Sequence, residues 1–332
     1  MDGYVTNAER TLERKLEYMR RAMGPFLLNL LFEPDVTDIL LNAPEVGEAE
    51  GTLWVVRLGQ DPKRVGTMDG NQAEMLIGAV ADSLGAVATR DHAIVEGKLL
   101  LDGSRFEGVV PPVAAFPIFA IRRKASAIFP LAHYVEAGSM TQRQMDIIDA
   151  AILSRLNIIV TGGTGSGKTT LLNGLILRMS ELSPTHRFAI VEDTGEVQCA
   201  ATNKVILLAD MHHPMRRLIQ ATLRMFPDRI IVGEVRGAEA QDMLMAWNTG
   251  HDGGAGTIHS NIISPGAALG RLADMVSMSP DAPANPERLI GEAVGLIICV
   301  ERTKDHGRRV SQIVSVQGFD STTRKYNLNV EN

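Results

Sequence analysis

The sequence is poor in several residue types, and each shortage excludes a class of protein. Only Cys199 and Cys299 are cysteines among 332 residues, which excludes a disulfide framework and a four-cysteine zinc module. Aromatic residues make up 5% of the chain, and its net charge is −6. Acidic residues outnumber basic ones both before and after residue 124. A surface built for direct, sequence-specific nucleic-acid binding is therefore not expected.

Long hydrophobic runs are also lacking. The longest one near the start covers residues 25–32, contains Asn29 and is too short to span a bilayer. Residues 1–11 contain no apolar segment of the kind found in secretory signals. Hydrophobic residues nevertheless make up 45% of the chain, which is enough for a sizeable core, and the length suggests two domains. Together with the few cysteines, these features predict a cytoplasmic globular protein.

An amphipathic helix is predicted near the start of the chain. Apolar residues recur there every three or four positions, and charged residues occupy the other face. The stripe consists of Leu12, Leu16, Met19, Met23 and Phe26. Because the polar face carries both signs of charge, the pattern favours docking on the helix's own domain over docking on a membrane or a partner.

The first 124 residues are predicted to form a small α+β domain. Short strand-like runs separated by turn residues cover 37–42, 53–57, 98–102, 105–110 and 118–122. A helix is predicted over 71–84. Residues 125–141 contain Pro130, Gly138 and Ser139 and are interpreted as a linker.

From residue 142 to residue 332 the pattern predicts an α/β domain. Predicted helices cover 142–154 and 168–179, and short, mostly apolar strands cover 157–160, 188–191 and 229–232. Apolar runs that alternate with helices indicate a parallel sheet covered on both faces. The tail from Arg302 onward alternates and is interpreted as a terminal hairpin without assigned chemistry.

The strongest motif lies between the strand at 157–160 and the next helix. Residues 162–169 fit the phosphate-loop pattern G-x-x-x-x-G-K-[ST] in full. The predicted nucleotide-binding residues are Gly162, Gly163, Thr164, Gly165, Ser166, Gly167, Lys168, Thr169 and Thr170. In this pattern backbone N–H groups surround the phosphates, the lysine reaches the β- and γ-phosphates, and the threonine hydroxyl binds Mg²⁺. The sequence therefore predicts binding of ATP and Mg²⁺.

Acidic residues follow two of the predicted strands. Glu192 ends the strand at 188–191, with Asp193 and Glu196 close behind, and Glu234 follows the strand at 229–232. Ligands of open parallel sheets collect at the carboxyl ends of strands, where acids bind Mg²⁺ or activate water. At the second strand Gly233 stands where P-loop enzymes usually carry an aspartate.

These motifs, in this order, resemble the traffic ATPases of secretion and conjugation. The phosphate loop is followed by Ile-Val-Glu-Asp-Thr-Gly-Glu ending at Glu196, by Val-Gly-Glu-Val-Arg ending at Arg236, and by Gly-Thr-Ile-His-Ser-Asn ending at Asn261. They are similar to that family's Walker A, Asp, Walker B and His boxes. The likeness covers roughly residues 25–300 and is strongest to the conjugal-transfer, TrbB-like branch. It implies a RecA-like P-loop NTPase C-terminal domain with a smaller α+β N-terminal domain.

The resemblance also implies roles for individual residues. Glu192 would activate the attacking water, Glu234 would be the acid near Mg²⁺, and His259 would sense the γ-phosphate. Spacing alone leaves His259 open to being an ordinary loop residue. Arg105 and Arg122 match arginines that reach the nucleotide as the two domains close, although Arg123 is adjacent to the second. Further arginines considered for such a role are Arg224, Arg229, Arg236 and Arg271.

At the level of the assembly, the resemblance implies a homo-oligomeric ring, expected to be a hexamer, with nucleotide between the N- and C-terminal domains. The chain would be an ATP-hydrolysing motor with a hinge near 125–141. It would act on membrane-embedded secretion or mating-channel proteins, as a peripheral protein at the cytoplasmic face of the inner membrane. Two alternatives stay open: an ATPase of type IV pili or type II secretion, and a nucleotide-gated scaffold of the secretion machine.

Overall fold

The computed structural model describes residues 7–57, 60–124, 128–210, 212–260, 264–303 and 307–331. Outside these ranges lie most of the sequence preceding the predicted first helix, residues 125–127 of the predicted linker, and Asn261 of the last motif. The chain divides into two compact units, Met1–Ser126 and Ala127–Asn332.

The first unit is an antiparallel sheet covered by two helices. Its elements in chain order are α1 (Asn7–Phe32), β1 (Val36–Asn42), β2 (Gly51–Arg57), β3 (Lys63–Met68), α2 (Gly70–Ser83), β4 (Ile94–Lys98), β5 (Arg105–Val109) and β6 (Ile118–Arg122). The strands lie in the order β3-β2-β1-β6-β5-β4, and every neighbouring pair is antiparallel. Apolar residues of α1, α2 and the sheet form one core.

Two details of the first unit differ from the sequence-based expectation. Helix α1 is kinked at Gly24, which precedes Pro25, so the buried face shifts along the helix. Met19 and Met23 are buried as predicted, whereas Leu12 and Phe26 are about half exposed. The strand predicted over 98–102 is wrong: β4 ends at Lys98, and Leu99 fills the core from a turn closed by a hydrogen bond from the Gly103 N–H to the Leu99 carbonyl.

The second unit alternates strands and helices. Its elements in chain order are α3 (Leu131–Glu136), α4 (Gln142–Leu153), β7 (Ile158–Gly162), α5 (Lys168–Leu182), β8 (Phe188–Glu192), β9 (Lys204–Leu208), α6 (Met215–Thr222), β10 (Arg229–Val235), α7 (Glu239–Trp247), β11 (Ala255–His259), α8 (Pro265–Ser277), α9 (Pro286–Ala293), β12 (Leu296–Thr303), β13 (Gly307–Asp320) and β14 (Lys325–Val330). The strands form one sheet in the order β14-β13-β12-β7-β11-β10-β8-β9.

The sheet of the second unit confirms the predicted α/β architecture. Strands β12, β7, β11, β10, β8 and β9 are parallel, whereas β13 and β14 extend the sheet antiparallel. One face is covered by α3, α4 and α5, and the other by α6, α7, α8 and α9.

The segment 128–141, predicted as part of a linker, contains α3, and its residues Leu131 and Met140 are buried in the core of the second unit. The apolar side chains of this segment explain why it packs.

Within the described ranges, none of the helices combines the length and the apolarity that a membrane span requires.

Candidate active site

Most of the predicted site residues lie along one edge of the second sheet. Strands β7, β11, β10 and β8 are direct neighbours and run in parallel. Their carboxyl ends carry, in that order, the loop 162–169, His259, Glu234 and Glu192. Residues separated by up to 97 positions in the chain are thereby brought to a single edge, which is where parallel sheets bind their ligands.

The phosphate loop leaves the start of α5 open to an anion. Gly165 and Gly167 have φ of 69° and 95°, conformations that favour glycine, and they turn the chain between β7 and α5. Gly167 is the N-cap of α5, and within the described residues it is not supplemented by a side-chain cap. The first N–H groups of the helix therefore point out of the helix end, where the helix dipole also favours negative charge.

Lys168 folds back over this loop. Its ammonium group donates to the carbonyl oxygens of Gly162 at 3.1 Å and Gly163 at 3.0 Å, and only 9% of the residue is exposed. The hydroxyl oxygens of Thr161 and Ser166 are buried, and within the described part of the chain they have no hydrogen-bond partner. Thr169, the predicted Mg²⁺ ligand, is half-buried in the first turn of α5. The loop thus combines a cation with unused polar atoms.

Glu192 is the buried acid of the site. Only 2% of it is exposed, and its Oε2 accepts a hydrogen bond from the N–H of Val197 at 3.0 Å. The segment that supplies Val197 is itself held by Asn173 of α5. The Asn173 amide donates to the Glu196 carbonyl at 3.2 Å and accepts from the Gln198 N–H at 2.9 Å. The turn after β8 is therefore fixed on the helix that follows the phosphate loop.

Glu234 lies near the end of β10 and is half-buried. Arg236 joins it to Asp193: the guanidinium is 2.6 Å from Glu234 Oε2 and 2.7 Å from Asp193 Oδ2. The second carboxylate oxygen of Asp193 is buried, and no described residue forms a hydrogen bond with it. This part of the edge therefore holds two carboxylates bridged by one guanidinium.

Gly233 explains why the usual aspartate is absent from this strand. A Cβ atom at Gly233 would lie 2.8 Å from the Cβ of Glu192 and 3.1 Å from Cγ2 of Val197. Real Cβ atoms essentially never approach another atom within 3.0 Å, and the Glu192 Cβ is attached directly to the backbone of β8. The glycine is therefore what lets Glu192 stand beside β10.

His259 is the last residue of β11 rather than part of a loop. In the parallel register its Cα is paired with that of Gly162, the first residue of the phosphate loop. Thr257 on the same strand donates its hydroxyl hydrogen to the carbonyl of Gly233 at 2.8 Å. Strand β11 thus links the phosphate loop on one side to the Glu234 strand on the other.

Arg105 and Arg122 belong to the first unit, where they are brought together. They are directly paired across β5 and β6, so both side chains lie on one face of that sheet, and both residues are exposed. The neighbouring Arg123 is used differently, because its guanidinium donates to the carbonyls of Glu33 and Val36. Arg123 is therefore held against the backbone of its own unit.

Comparison with known proteins identifies the family. The family model described as type II/IV secretion system protein matches residues 105–324. The chain belongs to this family. It is 44% identical to the probable conjugal transfer protein TrbB of Sinorhizobium fredii (strain NGR234), over 93% of this chain and 92% of that protein. It is 42% identical to the conjugal transfer protein TrbB of Rhizobium radiobacter, over 93% of each. The resemblance inferred from the motifs is confirmed.

A solved structure supports the fold of this secretion-family chain. The crystal structure of the pilus retraction motor PilT with bound ADP matches with a TM-score of 0.59 at 18% identity, covering 92% of this chain and 82% of that one. At that identity the likeness concerns the fold alone. The RecA-like P-loop fold with a further N-terminal domain, predicted from the motifs, is confirmed.

The residues at the sheet edge fit a nucleoside triphosphate with Mg²⁺. Phosphate oxygens accept hydrogen bonds from backbone N–H groups, from Lys168 and from the unused hydroxyl of Ser166. Hard oxygen ligands, which Mg²⁺ prefers, are available from Thr169 and Glu234. The donor set is therefore complementary to both groups.

Two further residues contact the elements of this site, and no sequence motif indicates either of them. Asn173, which fixes the turn after β8, lies inside a helix where its type carries no local signal. Arg308, on β13, donates from Nε to the Gly165 carbonyl at 3.1 Å, although 143 positions separate the two residues. No motif contains it, and only the order of strands in the sheet brings it to the loop.

Proposed function

We propose that this chain hydrolyses ATP at the carboxyl edge of the second sheet. The observation that carries the proposal is the alignment of the phosphate loop, His259, Glu234 and Glu192 on four adjacent parallel strands. Residues 162–170 bind the phosphates through backbone N–H groups and the Lys168 ammonium group. Thr169 and Glu234 hold Mg²⁺, which when bound neutralises charge on the phosphate oxygens.

Glu192 is the general base in this proposal. It accepts a proton from the attacking water, because it is the buried carboxylate at the edge and its orientation is fixed by the Val197 N–H. His259 senses the γ-phosphate from its position beside Gly162, and Arg105 and Arg122 reach the nucleotide phosphates when the two domains close around it. The hinge for that closure is proposed at the start of 125–141, because Leu131 and Met140 pack in the core of the second unit.

The biological role proposed is that of a motor for conjugation or type IV secretion. Support comes from the two relatives named as conjugal transfer proteins, each matched over more than nine-tenths of this chain. In this role the chain forms a homo-oligomeric ring, proposed to be a hexamer. It works at the cytoplasmic face of the inner membrane, where it contacts membrane-embedded channel proteins of the secretion machinery.

The first test is the variant Lys168→Ala. Loss of the ammonium group is expected to abolish ATP turnover, measured as phosphate release, while the unfolding temperature without nucleotide stays within about 2 °C, an interval equivalent to roughly 1 kcal/mol or less. Lys325→Ala, on the exposed strand β14, is the matched control and should hydrolyse ATP at the wild-type rate. Wild-type turnover by purified Lys168→Ala would refute the mechanism.

Two further measurements test the motor and the ring separately. In a mating assay, Glu192→Gln should abolish transfer along with hydrolysis, and transfer that persists without hydrolysis would favour the scaffold. Sedimentation with and without a non-hydrolysable ATP analogue tests the ring, and a monomer under both conditions would contradict it.

A further inference from the structure

A second cation lies on the phosphate loop. Arg308 is near the start of β13, which pairs with β12, and β12 in turn lies beside β7, the strand that leads into the loop. Its Nε donates to the Gly165 carbonyl at 3.1 Å. A Cβ atom at Gly167 would lie 3.0 Å from Arg308 Cδ, so the side chain extends across two glycines of the loop.

The strand that carries Arg308 is fixed just beyond it. The Val310 N–H donates to the Ser139 carbonyl at 2.8 Å, and the buried amide of Gln144 donates to the Val310 carbonyl at 3.5 Å. Val310 itself is 7% exposed and belongs to the core under α3, α4 and α5. Arg308 therefore projects from an anchored strand, although the residue itself is exposed.

Lys168 and Arg308 are held on the loop in the same way. Each cation donates to loop carbonyl oxygens, Lys168 to Gly162 and Gly163 and Arg308 to Gly165. A carbonyl oxygen is a neutral acceptor, whereas a phosphate offers charged oxygens and forms stronger bonds with a cation. The planar fork of arginine also matches phosphate geometry better than an ammonium group does.

We infer that Arg308 binds the phosphate groups of the nucleotide and is, with Lys168, one of two cations of the phosphate site. The inference rests on the proposed nucleotide binding and adds a residue from the far end of the chain to that site. The alternative is a purely structural role, in which Arg308 only stabilises the loop through its hydrogen bond to Gly165.

The neighbouring Arg309 provides a matched control. Consecutive residues of a strand point to opposite faces, and Arg309 pairs with Glu301 of β12 at 2.6 Å. Arg309→Ala thus removes the same side chain, one position away on the same strand, and does so on the face opposite Arg308.

The experiment is calorimetric titration of the full chain with ADP and with inorganic tripolyphosphate at one fixed salt and Mg²⁺ concentration. Arg308→Ala is expected to lower the affinity for both ligands by about tenfold, because one charge-assisted contact is lost. Arg308→Lys keeps the charge without the fork and should weaken them by about threefold. Arg309→Ala should bind both as the wild type does.

The outcomes separate this inference from the proposed function. If Arg308→Ala binds both ligands normally and only its unfolding temperature falls, Arg308 is a structural clamp and the inference is wrong. If ADP binding weakens while tripolyphosphate binding is unchanged, the contact is with the nucleoside, which also overturns it. Failure of the wild type to bind either ligand would refute the proposed function itself. Should Arg308→Ala not fold, Arg308→Lys and Arg308→Gln decide between the same outcomes.

Discussion

The two ends of the parallel strands differ in how their buried polar side chains are hydrogen-bonded. Strand β10 shows both: it begins with Arg229 and carries Glu234 near its end. At the carboxyl end, polar atoms of Thr161, Ser166 and Asp193 are buried, and the described residues leave them without hydrogen-bond partners. At the amino end, the buried side chains of Arg229 and Asn157 are paired, whereas Nδ1 of His251, shortly before β11, is buried without a partner among the described residues.

Arg229 and Asn157 each form several hydrogen bonds. Arg229 is 1% exposed and donates to the Gly253 carbonyl at 2.7 Å, to the Ile152 carbonyl at 3.1 Å and to His186 Nδ1 at 3.1 Å. Asn157 accepts from the Gly254 N–H and donates to the Ala293 carbonyl. Burial lowers the pKa of Arg229 to about 10, so the guanidinium is still charged at neutral pH.

This difference between the two ends of the strands indicates which end contributes to stability and which to ligand binding. A buried polar group costs free energy unless it is hydrogen-bonded. A sheet edge whose buried polar atoms lack partners is therefore stabilised by a ligand that supplies those hydrogen bonds. An edge whose groups are already paired contributes to folding instead. Variants at the carboxyl end should therefore lose turnover and keep stability, whereas variants at the amino end should do the reverse.

Of the variants that test this difference between the two ends, Glu192→Gln is expected to have the largest effect. Removing a general base typically costs 10²–10⁴ in rate, so we expect turnover to fall by about 10³-fold. Stability should be unchanged, since the glutamine amide oxygen can still accept from the Val197 N–H. Phosphate release and thermal unfolding measure the two quantities. Glu181→Gln, at the far end of α5, is the control and should be fully active. A Glu192→Gln enzyme with a third of wild-type turnover would end its assignment as the base.

Arg229→Met tests the opposite end of the strands. It leaves the Gly253 carbonyl without a donor and removes one of the hydrogen bonds to the Ile152 carbonyl, which still accepts from the Arg155 N–H, and we expect the free energy of unfolding to fall by about 2 kcal/mol. Turnover per folded molecule should stay within about twofold, below 0.5 kcal/mol in activation free energy. Fluorescence of buried Trp247 in a Trp54→Phe background reports the second unit alone, because the chain has two tryptophans.

The comparison would fail if Arg229→Met were as stable as the wild type and inactive. That result would indicate that Arg229 contacts the nucleotide, the role for which the family resemblance made it a candidate. Arg229→Lys keeps the charge and separates loss of charge from loss of the directed hydrogen bonds of the guanidinium.

The sequence predicted what local pattern determines. The phosphate loop, the apolar strands β7, β8 and β10 and the terminal hairpin are each visible within a few residues. Strand β3 escaped because it is an exposed edge strand with charged residues at Lys63 and Arg64. The strand predicted over 98–102 was wrong because an apolar turn and an apolar strand have the same amino-acid composition.

The site was predictable to the extent that it is made of motifs. Glu192, Glu234 and His259 lie at or near the ends of strands in a fixed order along the chain, and the parallel sheet aligns them. The requirement for Gly233, the anchoring by Asn173 and the approach of Arg308 depend on distances between strands, which no local pattern encodes. The pairing of Arg105 with Arg122 likewise depends on the register of β5 and β6.

Gly233→Ala tests whether the position of Glu192 depends on the absence of a side chain at residue 233. The added Cβ must displace Glu192, and we expect turnover to fall by about 30-fold, equivalent to roughly 2 kcal/mol in activation free energy. Gly233→Asp, which restores the usual aspartate, should be at least as impaired. Gly270→Ala in α8 is the control, because among the described residues nothing lies within 4 Å of a Cβ placed there. An active Gly233→Asp enzyme would show that the glycine is not needed to position Glu192.

The smallest expected effect is a pH dependence at the amino end. Burial lowers the pKa of His186, with the charge of Arg229 acting in the same direction, so the folded protein holds the neutral ring that accepts from Arg229. The unfolded chain then binds more protons below pH 6.5, and stability contributed by this group is present above that pH and lost as pH falls further. We expect the Trp247 unfolding midpoint of the Trp54→Phe protein to drop between pH 7.5 and 5.5, and His186→Asn, which keeps an acceptor, to reduce that drop by about 1 °C. His92→Asn, in the first unit, should leave the drop unchanged. An identical drop in His186→Asn would mean that the amino end owes none of its acid sensitivity to the His186–Arg229 contact.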